Sequence, residues 1–231
     1  MAKISSEEII LRYNDSVIRQ SDLVTLNGPK WLNDRIIEFY FSYLSSFYPS
    51  KHILLVPPAI TYWIMNCPDT NSLKDFLKPL NLPSKKLIIF PVNNNDDMSR
   101  ADGGNHWSLL AYEKTDNLFV HHDSLGDMNK SHAKCLYNTL VPYIGASYPI
   151  PSYFEYECGP LQDNGYDCGL YVLATTKVIC DWYDSYLKEI GHLWFSLVWE
   201  QVNTSTVSGL RKEILEVIKS MKGERIYDFS G

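Results

Sequence analysis

The sequence predicts one α+β domain comprising residues 1–231, with a helical half around residues 30–80 and a sheet half from residue 85 onward. Two patterns favour this class. Apolar residues recur at helical spacing in the first half, and short continuous apolar runs of strand type follow in the second. A chain of 231 residues with 45% apolar and 21% charged residues can bury a sizeable core and has the composition of a soluble globular protein.

The helical half begins after a chain-breaking pair, Gly28-Pro29. Residues 31–48 then carry apolar side chains around most of a helical surface, so we expect this helix to be buried on several sides. Asn33 is the predicted N-cap, and Asp34 falls in the first turn, where the helix dipole favours a carboxylate. Two shorter helices are expected to follow before the sheet half begins.

The sheet half opens with residues 86–92, a continuous apolar run that predicts a central strand. Residues 93–105 follow as a polar loop with two glycines and no periodicity. Long loops of this kind are often functional, although a mobile surface insertion has the same composition. The position of the loop directly before His106 favours a gate that responds to substrate.

Two apolar runs, residues 106–112 and 118–123, flank a charged turn at residues 113–117 and predict an antiparallel hairpin. In such a hairpin the start of the first strand and the end of the second lie at the same edge of the sheet. His106 begins the first run and Asp123 ends the second, so we expect these two side chains to lie close together.

Residues 161–172 contain the most distinctive stretch, because turn-forming residues precede Cys168 and an apolar helical pattern follows it. Asp167 is the predicted N-cap, which places Cys168 in the first turn, where unpaired N–H groups and the helix dipole favour a thiolate. Gln162 lies upstream, close enough in a folded loop to point its amide N–H toward an oxyanion beside the sulfur. A lone cysteine in such a place is more often a small buried hydrophobe.

The neighbouring residues decide between a reactive and a buried cysteine. A cysteine at a helix start, a histidine that takes its proton and a carboxylate that orients the imidazole form the general arrangement for thiol nucleophilic catalysis. Here these groups and the candidate oxyanion donor occur in the chain order His106, Asp123, Gln162, Cys168. The expected chemistry is acyl transfer to water.

Charge and cysteine content exclude several other classes of protein. A net charge of −6 gives no electrostatic footprint for nucleic acid, and no apolar run approaches the length that spans a membrane. The five cysteines are widely spread with no CxxC pair, which argues against a disulfide framework or a structural zinc site. We therefore expect no metal or organic cofactor, no nucleic-acid or membrane partner, and a reducing compartment, the cytoplasm, the nucleus or both.

The motifs around the candidate site resemble those of a known family. GGNHWSLL, HHDSL and QDNGYDCGLYV are similar to the His, Asp and Gln/Cys boxes of the SUMO/sentrin-specific (Ulp-type) cysteine proteases. Further segments, among them NDSVIRQSDLVTL, WLNDRIIEFYF and DFLKPLNLPSKKLIIFPVNNN, are similar in the same order to the deneddylase branch, which acts on the Nedd/Rub modifier. This colinear resemblance extends from about residue 10 to residue 185 and is more specific than any single motif.

The resemblance implies a papain-like (Ulp-type) fold, with a central mixed β-sheet, an N-terminal helical half and flanking C-terminal helices. It also implies a monomeric thiol-dependent isopeptidase or C-terminal hydrolase that cleaves after the diglycine of a Nedd/Rub-type modifier without a cofactor. The implied partners are that modifier and its conjugates, such as cullins. The implied catalytic residues are His106, Asp123, Cys168 and Gln162, and the implied substrate-binding residues are Trp31, Asp34, Trp107, Asn93 and Asn105.

Three other functions stay open on the sequence alone. SUMO cleavage by the same mechanism is the first, since Ser124 and Gly165 resemble SUMO proteases. Tyr166, Tyr171 and the insertion before the histidine box resemble deneddylases, and His122 stands where the family usually carries tyrosine and fits neither branch. The second is an acyltransferase with the same Cys/His/acid arrangement, against which the intact WLND box argues. The third is a catalytically silent modifier-binding protein, although no triad position is substituted.

Overall fold

The computed structural model describes residues 6–97, 99–100, 103–145 and 149–228, with side chains as far as residue 223. Within these residues the strands are β1 (Ile9–Tyr13), β2 (Ser16–Arg19), β3 (Ile53–Leu55), β4 (Leu87–Asn93), β5 (Trp107–Glu113), β6 (Leu118–His122) and β7 (Ser152–Glu155). The α-helices there are α1 (Gln20–Thr25), α2 (Asp34–Phe47), α3 (Pro58–Asn66), α4 (Thr70–Leu77), α5 (Lys130–Leu140), α6 (Cys168–Tyr183), α7 (Tyr186–Glu189), α8 (Phe195–Gln201) and α9 (Thr204–Asp228).

Five of these strands form one mixed sheet in the order β3-β4-β5-β6-β7, and β1 and β2 form a separate antiparallel pair. The three middle strands pair antiparallel, while β3 and β7 run parallel to their neighbours at the two edges. The apolar run at residues 86–92 forms an interior strand, but the central position belongs to β5, because β5 pairs with β4 on one side and with β6 on the other. The predicted α+β class with a central mixed sheet is confirmed.

The sheet separates two hydrophobic cores, because successive side chains of a strand point to opposite faces. One face packs against a core that includes α2, α6, α8 and α9, and the other against one that includes α3, α4 and α5. On the first face the sheet contributes Leu87, Ile89, Leu109, Ala111 and Val120. On the second face it contributes Ile88, Phe90, Val92, Leu110, Tyr112 and Phe119. Burial of both faces explains why these strands are continuous apolar runs in the sequence.

Helices α2 and α6 bring two distant segments of the chain together in the first core. The Asn33 side chain accepts a hydrogen bond from the Ile36 backbone N–H at 3.2 Å, so the predicted N-cap of α2 is confirmed. Helix α6 is buried along most of its length and lies close to the segment before α2. A Cβ added at Gly169 would come within 3.0 Å of the Leu32 side chain. This approach places the start of α6 beside the segment that precedes α2.

Both ends of the described chain meet on the same side of the sheet, where α9 contacts β1 and α6. That residues 1–231 form a single domain stays a prediction. Of the helices in the described ranges, none is both long enough and apolar enough to cross a membrane.

Candidate active site

His106 and Asp123 meet at one end of the β5–β6 hairpin. His106 immediately precedes β5 and Asp123 immediately follows β6, and the antiparallel register brings these two positions together. The His106 Nε2 and Asp123 Oδ1 atoms are 2.6 Å apart, and both side chains are buried. The hairpin therefore forms the contact that its two sequence boxes predict.

The Asp123 carboxylate is fixed by backbone donors as well as by the imidazole. Its Oδ1 accepts the Leu125 N–H at 2.9 Å, and its Oδ2 accepts the Asn129 N–H at 2.8 Å. The buried Asn129 side chain donates to the carbonyls of Val92 and His106, at 3.1 and 3.3 Å. Asn129 therefore joins the aspartate loop to the start of β5, a role that no motif in the sequence indicates.

The charges of this pair follow from burial and from its partners. Burial disfavours a charged imidazole, but the hydrogen bond to Asp123 and the charges of Asp123 and the nearby Cys168 outweigh it and raise the pKa of His106 to about 9. Burial likewise acts to raise the pKa of Asp123, but the hydrogen bond and charge of His106, together with the backbone donors, hold that pKa below its ordinary value. At neutral pH an imidazolium therefore lies beside a carboxylate.

Cys168 is the first residue of α6 and is 2% exposed. The first N–H groups of a helix have no partners within it, so the positive end of the helix dipole lies near the sulfur. Because Asp123 occupies Nε2 of His106, Nδ1 is the ring nitrogen that remains for the thiol. By distance and angle, Nδ1 forms no hydrogen bond with any described residue, although Cys168 is near enough to raise the His106 pKa. Catalytic contacts of this kind often tighten only when substrate binds.

Gln162 is held in one orientation by two neighbours. Its Oε1 accepts a hydrogen bond from the Ser124 Oγ at 2.7 Å, and its Nε2 donates to the Asn164 backbone carbonyl at 2.5 Å. The Gln162 backbone N–H also donates to the Ser124 carbonyl, at 2.9 Å. Since an amide nitrogen carries two hydrogens, the second N–H of Gln162 remains for an oxyanion. Sequence reasoning missed this positioning role, although Ser124 directly follows the aspartate and Asn164 belongs to an Asn-Gly turn.

The cysteine loop, residues 161–167, is braced by the Asn164 side chain. Its Oδ1 accepts the N–H groups of Tyr166 and Asp167, each at 3.0 Å, which closes an Asx-type turn, and its Nδ2 donates to the Asp167 Oδ2 at 2.9 Å. Asp167 occupies the predicted N-cap position of α6, but its carboxylate caps no N–H group of that described helix and bonds Asn164 and Arg211 instead. Its backbone, with φ −94° and ψ 5°, lacks the extended geometry that aims an N-cap side chain at the helix.

Two indole rings connect the segment before α2 to the candidate site. The Trp31 Nε1 donates to the Gly165 carbonyl of the cysteine loop at 2.6 Å, and 52% of Trp31 stays exposed. Trp107 is half-buried, directly follows His106, and donates its Nε1 to the Leu32 carbonyl at 3.1 Å. The structure thus places Trp107 next to His106 and joins Trp31 to the loop that precedes Cys168.

Asp34 follows Trp31 by three residues in the chain. It is exposed in the first turn of α2, where its Oδ1 accepts the Arg35 N–H at 2.9 Å. An exposed carboxylate at a helix start, a few residues beyond Trp31, is open to a ligand's polar or charged groups. Its predicted contact with substrate stays a prediction.

The loop that joins β4 to β5 is held by its own asparagines. Asn94 Oδ1 accepts the N–H groups of Asn105 and His106, at 2.8 and 3.0 Å, and Asn94 Nδ2 donates to the Asn105 Oδ1 at 2.8 Å. Asn93 Oδ1 accepts the Asn95 N–H at 2.9 Å. The predicted substrate-binding residues Asn93 and Asn105 thus make contacts within the loop, and their contact with substrate stays a prediction. Asn94 is a positioning residue for the imidazole that sequence reasoning missed.

Glycine is required where this loop returns to the site. Gly104 has φ +78°, and a Cβ there would lie 2.0 Å from the Asn93 Oδ1. A Cβ at Gly103 would lie 2.2 Å from the Asn95 Oδ1. Three positions of the loop (98, 101 and 102) lie outside the described residues, so the predicted substrate-responsive gate stays a prediction.

A narrow cavity opens beside Cys168, between the start of α6 and the hairpin. Its walls include Trp107, His122, Asp123, Ser124, Pro160 and Tyr171. Among the described residues, no group of three or more His, Cys, Asp or Glu side chains is arranged to hold a metal ion. The groups that are assembled here, a thiol, an imidazole, a carboxylate and an amide, can perform nucleophilic acyl transfer.

Sequence comparisons agree with this chemistry. A family model described as the Ulp1 protease family, C-terminal catalytic domain, matches residues 30–181. The chain is 50% identical to NEDD8-specific protease 1 of Arabidopsis thaliana over 227 residues, which cover 98% of this chain and 99% of that protein. It is 38% identical to sentrin-specific protease 8 of Homo sapiens over 177 residues, which cover 75% of this chain and 82% of that one.

The fold is similar to that of the C-terminal Ulp1 protease domain solved in complex with Smt3, the yeast orthologue of SUMO. The TM-score is 0.66, and the alignment covers 93% of this chain and 88% of that chain at 18% sequence identity, which is a likeness of fold alone. The predicted family resemblance and the Ulp-type fold are confirmed. Because the family model matches more than half of the chain and a relative is 50% identical over nearly all of it, this chain belongs to the Ulp1 family of cysteine proteases.

Proposed function

We propose that this chain is a thiol-dependent isopeptidase and C-terminal hydrolase that cleaves after the C-terminal diglycine of a Nedd/Rub-type ubiquitin-like modifier, in deconjugation, precursor processing or both. The observation that carries the proposal is the buried His106–Asp123 pair, 2.6 Å apart, beside a cysteine at a helix N-terminus. The substrate class is supported by the similarity to NEDD8-specific protease 1 and to sentrin-specific protease 8.

In the acylation step, the Cys168 thiolate attacks the carbonyl carbon of the modifier's terminal glycine. A C–S bond forms, and the carbonyl oxygen becomes an oxyanion, to which the free N–H of Gln162 and the Cys168 backbone N–H donate. The His106 imidazolium gives its Nδ1 proton to the nitrogen of the leaving amine as the C–N bond breaks. Asp123 holds Nε2 throughout and favours the charged imidazole that this step requires.

In the deacylation step, the now neutral His106 takes a proton from water at Nδ1. The resulting hydroxide attacks the thioester carbonyl, and the tetrahedral intermediate expels the Cys168 thiolate. The modifier leaves with a free carboxylate, and the imidazolium and thiolate are restored. The carboxylic acid that forms gives its proton to solvent, and both proton transfers of His106 take place at Nδ1.

Trp31 and Trp107 are proposed to form the slot for the diglycine tail. A tail without side chains can pass between flat aromatic surfaces that exclude other residues. Trp31 is tied to the cysteine loop and Trp107 to the segment before α2, so the position of each indole is set by a hydrogen bond to the backbone. Asp34 would then meet the residues that precede the diglycine, and Asn93 and Asn105 would contact the modifier from the neighbouring loop.

The proposal extends to partners and compartment. Conjugates of the modifier, such as cullins, are the substrates for isopeptidase cleavage, and the enzyme acts as a monomer in the cytoplasm, the nucleus or both. A sequence with five widely spread cysteines and no CxxC pair suits a reducing compartment. The net charge of −6 favours neither nucleic acid nor an anionic membrane surface as a partner.

SUMO cleavage by the same mechanism is the competing function. It is favoured by the side-chain contact of Ser124 with Gln162, because Ser124 is the residue of the aspartate box that resembles SUMO proteases. The test is to compare hydrolysis of Nedd/Rub-type, SUMO and ubiquitin C-terminal fluorogenic amides by the same preparation. We expect the Nedd/Rub-type amide to be hydrolysed much faster than the other two. Equal rates would contradict the specificity, and faster SUMO hydrolysis would make the competing function the correct one.

A matched pair of variants locates the discrimination. Asp34→Ala is expected to reduce the preference for the Nedd/Rub-type amide, whereas Asp75→Ala, which removes an exposed carboxylate on α4, should leave it unchanged. Specificity that survives Asp34→Ala would place the discrimination on another part of the modifier-binding surface. Mass spectrometry of the product separates hydrolysis from acyl transfer to an added nucleophile, and an absence of any product would identify a silent binding protein.

A further inference from the structure

Arg211 lies on α9, beyond the residues that the family model matches, yet it is buried against the candidate site and is 9% exposed. Its Nη2 donates to the Asp167 Oδ1 at 2.6 Å and to the Lys30 carbonyl at 3.0 Å, and its Nη1 donates to the Thr25 carbonyl at 2.5 Å. One side chain of the C-terminal helix thus holds three points of the chain. Two of these points precede α2, and the third immediately precedes Cys168.

From Asp167, a continuous set of hydrogen bonds leads to the proposed oxyanion donor. The Asp167 Oδ2 accepts from the Asn164 Nδ2, and the Asn164 carbonyl in turn accepts from the Gln162 Nε2. The other end of the Gln162 amide accepts from Ser124, which adjoins Asp123 in the chain. The guanidinium therefore begins a chain of contacts that reaches the oxyanion donor and the residue after the proposed catalytic aspartate.

The contact with Lys30 leads to the proposed tail slot. Lys30 adjoins Trp31, whose indole N–H donates to the Gly165 carbonyl. Because Gly165 and Asp167 belong to the same cysteine loop, the contacts of Arg211 form a closed ring. This ring fixes the tryptophan wall and the cysteine loop relative to each other.

We propose that Arg211 is a positioning residue for the hydrolysis. It sets the separation between Trp31 and the cysteine loop, and so holds the Cys168 sulfur and the Gln162 amide at the carbonyl of the bound tail. The inference rests on the roles proposed for these three residues.

Arginine suits this position for a physical reason. Asp167 is buried, and a carboxylate removed from water is costly unless it is paired. A planar guanidinium presents several donors and can bond one carboxylate and two carbonyls at once, whereas a lysine ammonium is a compact point charge on a flexible stem. Loss of Arg211 would leave a carboxylate unpaired and two carbonyls without their donor, so the loop would shift. A displacement of about 1 Å at reacting groups can lower a rate by about 100-fold.

Steady-state hydrolysis of the fluorogenic modifier amide by three variants tests the proposal. Arg211→Met is expected to lower kcat/KM by about 10- to 100-fold. Arg211→Lys keeps a charge opposite Asp167, so kcat should recover to near the wild-type value, while KM stays raised because lysine cannot also hold the Lys30 carbonyl. Lys212→Met is the control, because it removes a cation from the next, exposed position of α9 and should change neither constant.

All rates are measured well below the thermal unfolding midpoint of each variant, so that lost stability does not enter. Wild-type constants in Arg211→Met would overturn the proposal. Constants in Arg211→Lys as poor as those of Arg211→Met would also overturn it, since a cation opposite Asp167 would then fail to restore kcat. If Arg211→Met does not fold, Asp167→Asn/Arg211→Met leaves no buried charge unpaired and is compared with Asp167→Asn alone. If the double variant loses little further kcat relative to Asp167→Asn, Arg211 acts through Asp167. If the two substitutions lower kcat independently, so that their fold-losses multiply, this role of Arg211 is refuted.

The proposed function and the role of Arg211 fail in different ways. A wild-type enzyme that hydrolyses the SUMO amide fastest contradicts only the substrate class, and the Arg211 comparison is then made on that amide. A wild-type enzyme that hydrolyses none of the three amides contradicts both. An active wild-type enzyme whose Arg211→Met variant is equally active contradicts only the role of Arg211.

Discussion

His106 and His122 are buried imidazoles at the same end of one hairpin. At neutral pH, the pKa of His106 favours the charged form and the pKa of His122 favours the neutral form. The His106 Nε2 lies 2.6 Å from the Asp123 carboxylate, and despite burial the pKa of His106 is raised to about 9 by its partners. The His122 Nε2 instead accepts a hydrogen bond from the Trp194 Nε1 at 2.9 Å. Burial, followed by the charge of the adjacent His121, lowers the pKa of His122 to about 3.

Burial disfavours charge on both imidazoles, so a buried histidine carries charge only where its partners outweigh burial. An indole N–H can only donate, so the ring nitrogen that faces Trp194 must be unprotonated, and His122 is neutral. A carboxylate can only accept, so the His106 nitrogen that faces Asp123 carries a proton. His106, which is proposed to protonate the leaving amine, has a carboxylate partner, whereas the Nε2 of His122 has an indole partner.

The largest expected effect comes from removing the sulfur beside the charged histidine. Cys168→Ala should abolish hydrolysis while modifier binding stays largely intact, because it removes the proposed attacking atom and leaves the proposed tail slot in place. Hydrolysis of the fluorogenic amide and binding by fluorescence polarisation measure the two properties. Cys135→Ala, which removes an exposed thiol on α5, is the control and should retain full activity. Near wild-type turnover by Cys168→Ala would mean that another cysteine is the nucleophile.

The second effect comes from removing the negative charge of Asp123, so that the Nε2 of His106, like that of His122, has a neutral partner. Asp123→Asn is expected to lower kcat by about 10²- to 10⁴-fold, since the imidazole loses both its charge partner and its fixed tautomer. The pKa of His106, followed by NMR titration, should fall from about 9. Wild-type activity with an unchanged His106 titration would show that a different group orients the imidazole.

The third effect measures what a neutral hydrogen-bond donor, the Gln162 amide, contributes to kcat, in contrast to the charged His106–Asp123 pair. Gln162→Ala should cost on the order of 100-fold in kcat if its free N–H donates to the oxyanion. Ser124→Ala should cost less, because it removes one of the contacts that orient the amide and leaves the donor in place. Pre-steady-state measurement of acylation locates the loss. A change in KM with an unaltered kcat would assign Gln162 to binding instead of to the reaction.

The smallest expected effect is on the free energy of unfolding. The contributions of the two histidines to it depend on pH in opposite directions. The folded-state pKa of His106 lies above its ordinary 6.5, so its stabilisation is present below about pH 6.5 and is lost as pH rises through 9. The folded-state pKa of His122 lies below 6.5, so its contribution is present above about pH 6.5 and is lost as pH falls toward 3.

Denaturant unfolding of wild type, His106→Asn and His122→Phe, each at acid, neutral and alkaline pH, measures these contributions. The stability advantage of wild type over His106→Asn should shrink between neutral and alkaline pH. Its advantage over His122→Phe should shrink between neutral and acid pH. Parallel pH profiles for the three proteins would contradict the assigned charges.

Local sequence signals were enough to predict the hairpin and the start of α6. The strand pattern placed His106 and Asp123 at one edge, and the turn residues before Cys168 placed it at a helix start, because both signals depend on neighbours in the chain. Asp167 shows the limit of a local signal. Residue type predicted its N-cap position correctly, but the direction of its carboxylate depends on a backbone geometry and on Arg211, 44 residues away in the sequence.

The contacts that were not predicted join residues far apart. Trp194 lies 72 residues from His122, so a histidine in the usual place of a tyrosine could be noticed in the sequence, but its donor could not. Asn129 and Asn94 act through the backbone of distant strand ends, and an asparagine in a polar stretch carries no periodic signal. Most of the site contacts that could not be predicted from the sequence are therefore polar contacts between residues far apart in the chain.

The Trp31 indole bonds a carbonyl 134 residues further along the chain, and Arg211 bonds one 186 residues back. Contacts of such separation form late, because closing long loops costs entropy before any packing repays it. A nascent chain would therefore carry Cys168 without the contacts of Arg211 until α9 has emerged. After dilution from denaturant, we expect helical circular dichroism to return before hydrolysis, because the long-range contacts of Trp31 and Arg211 form late.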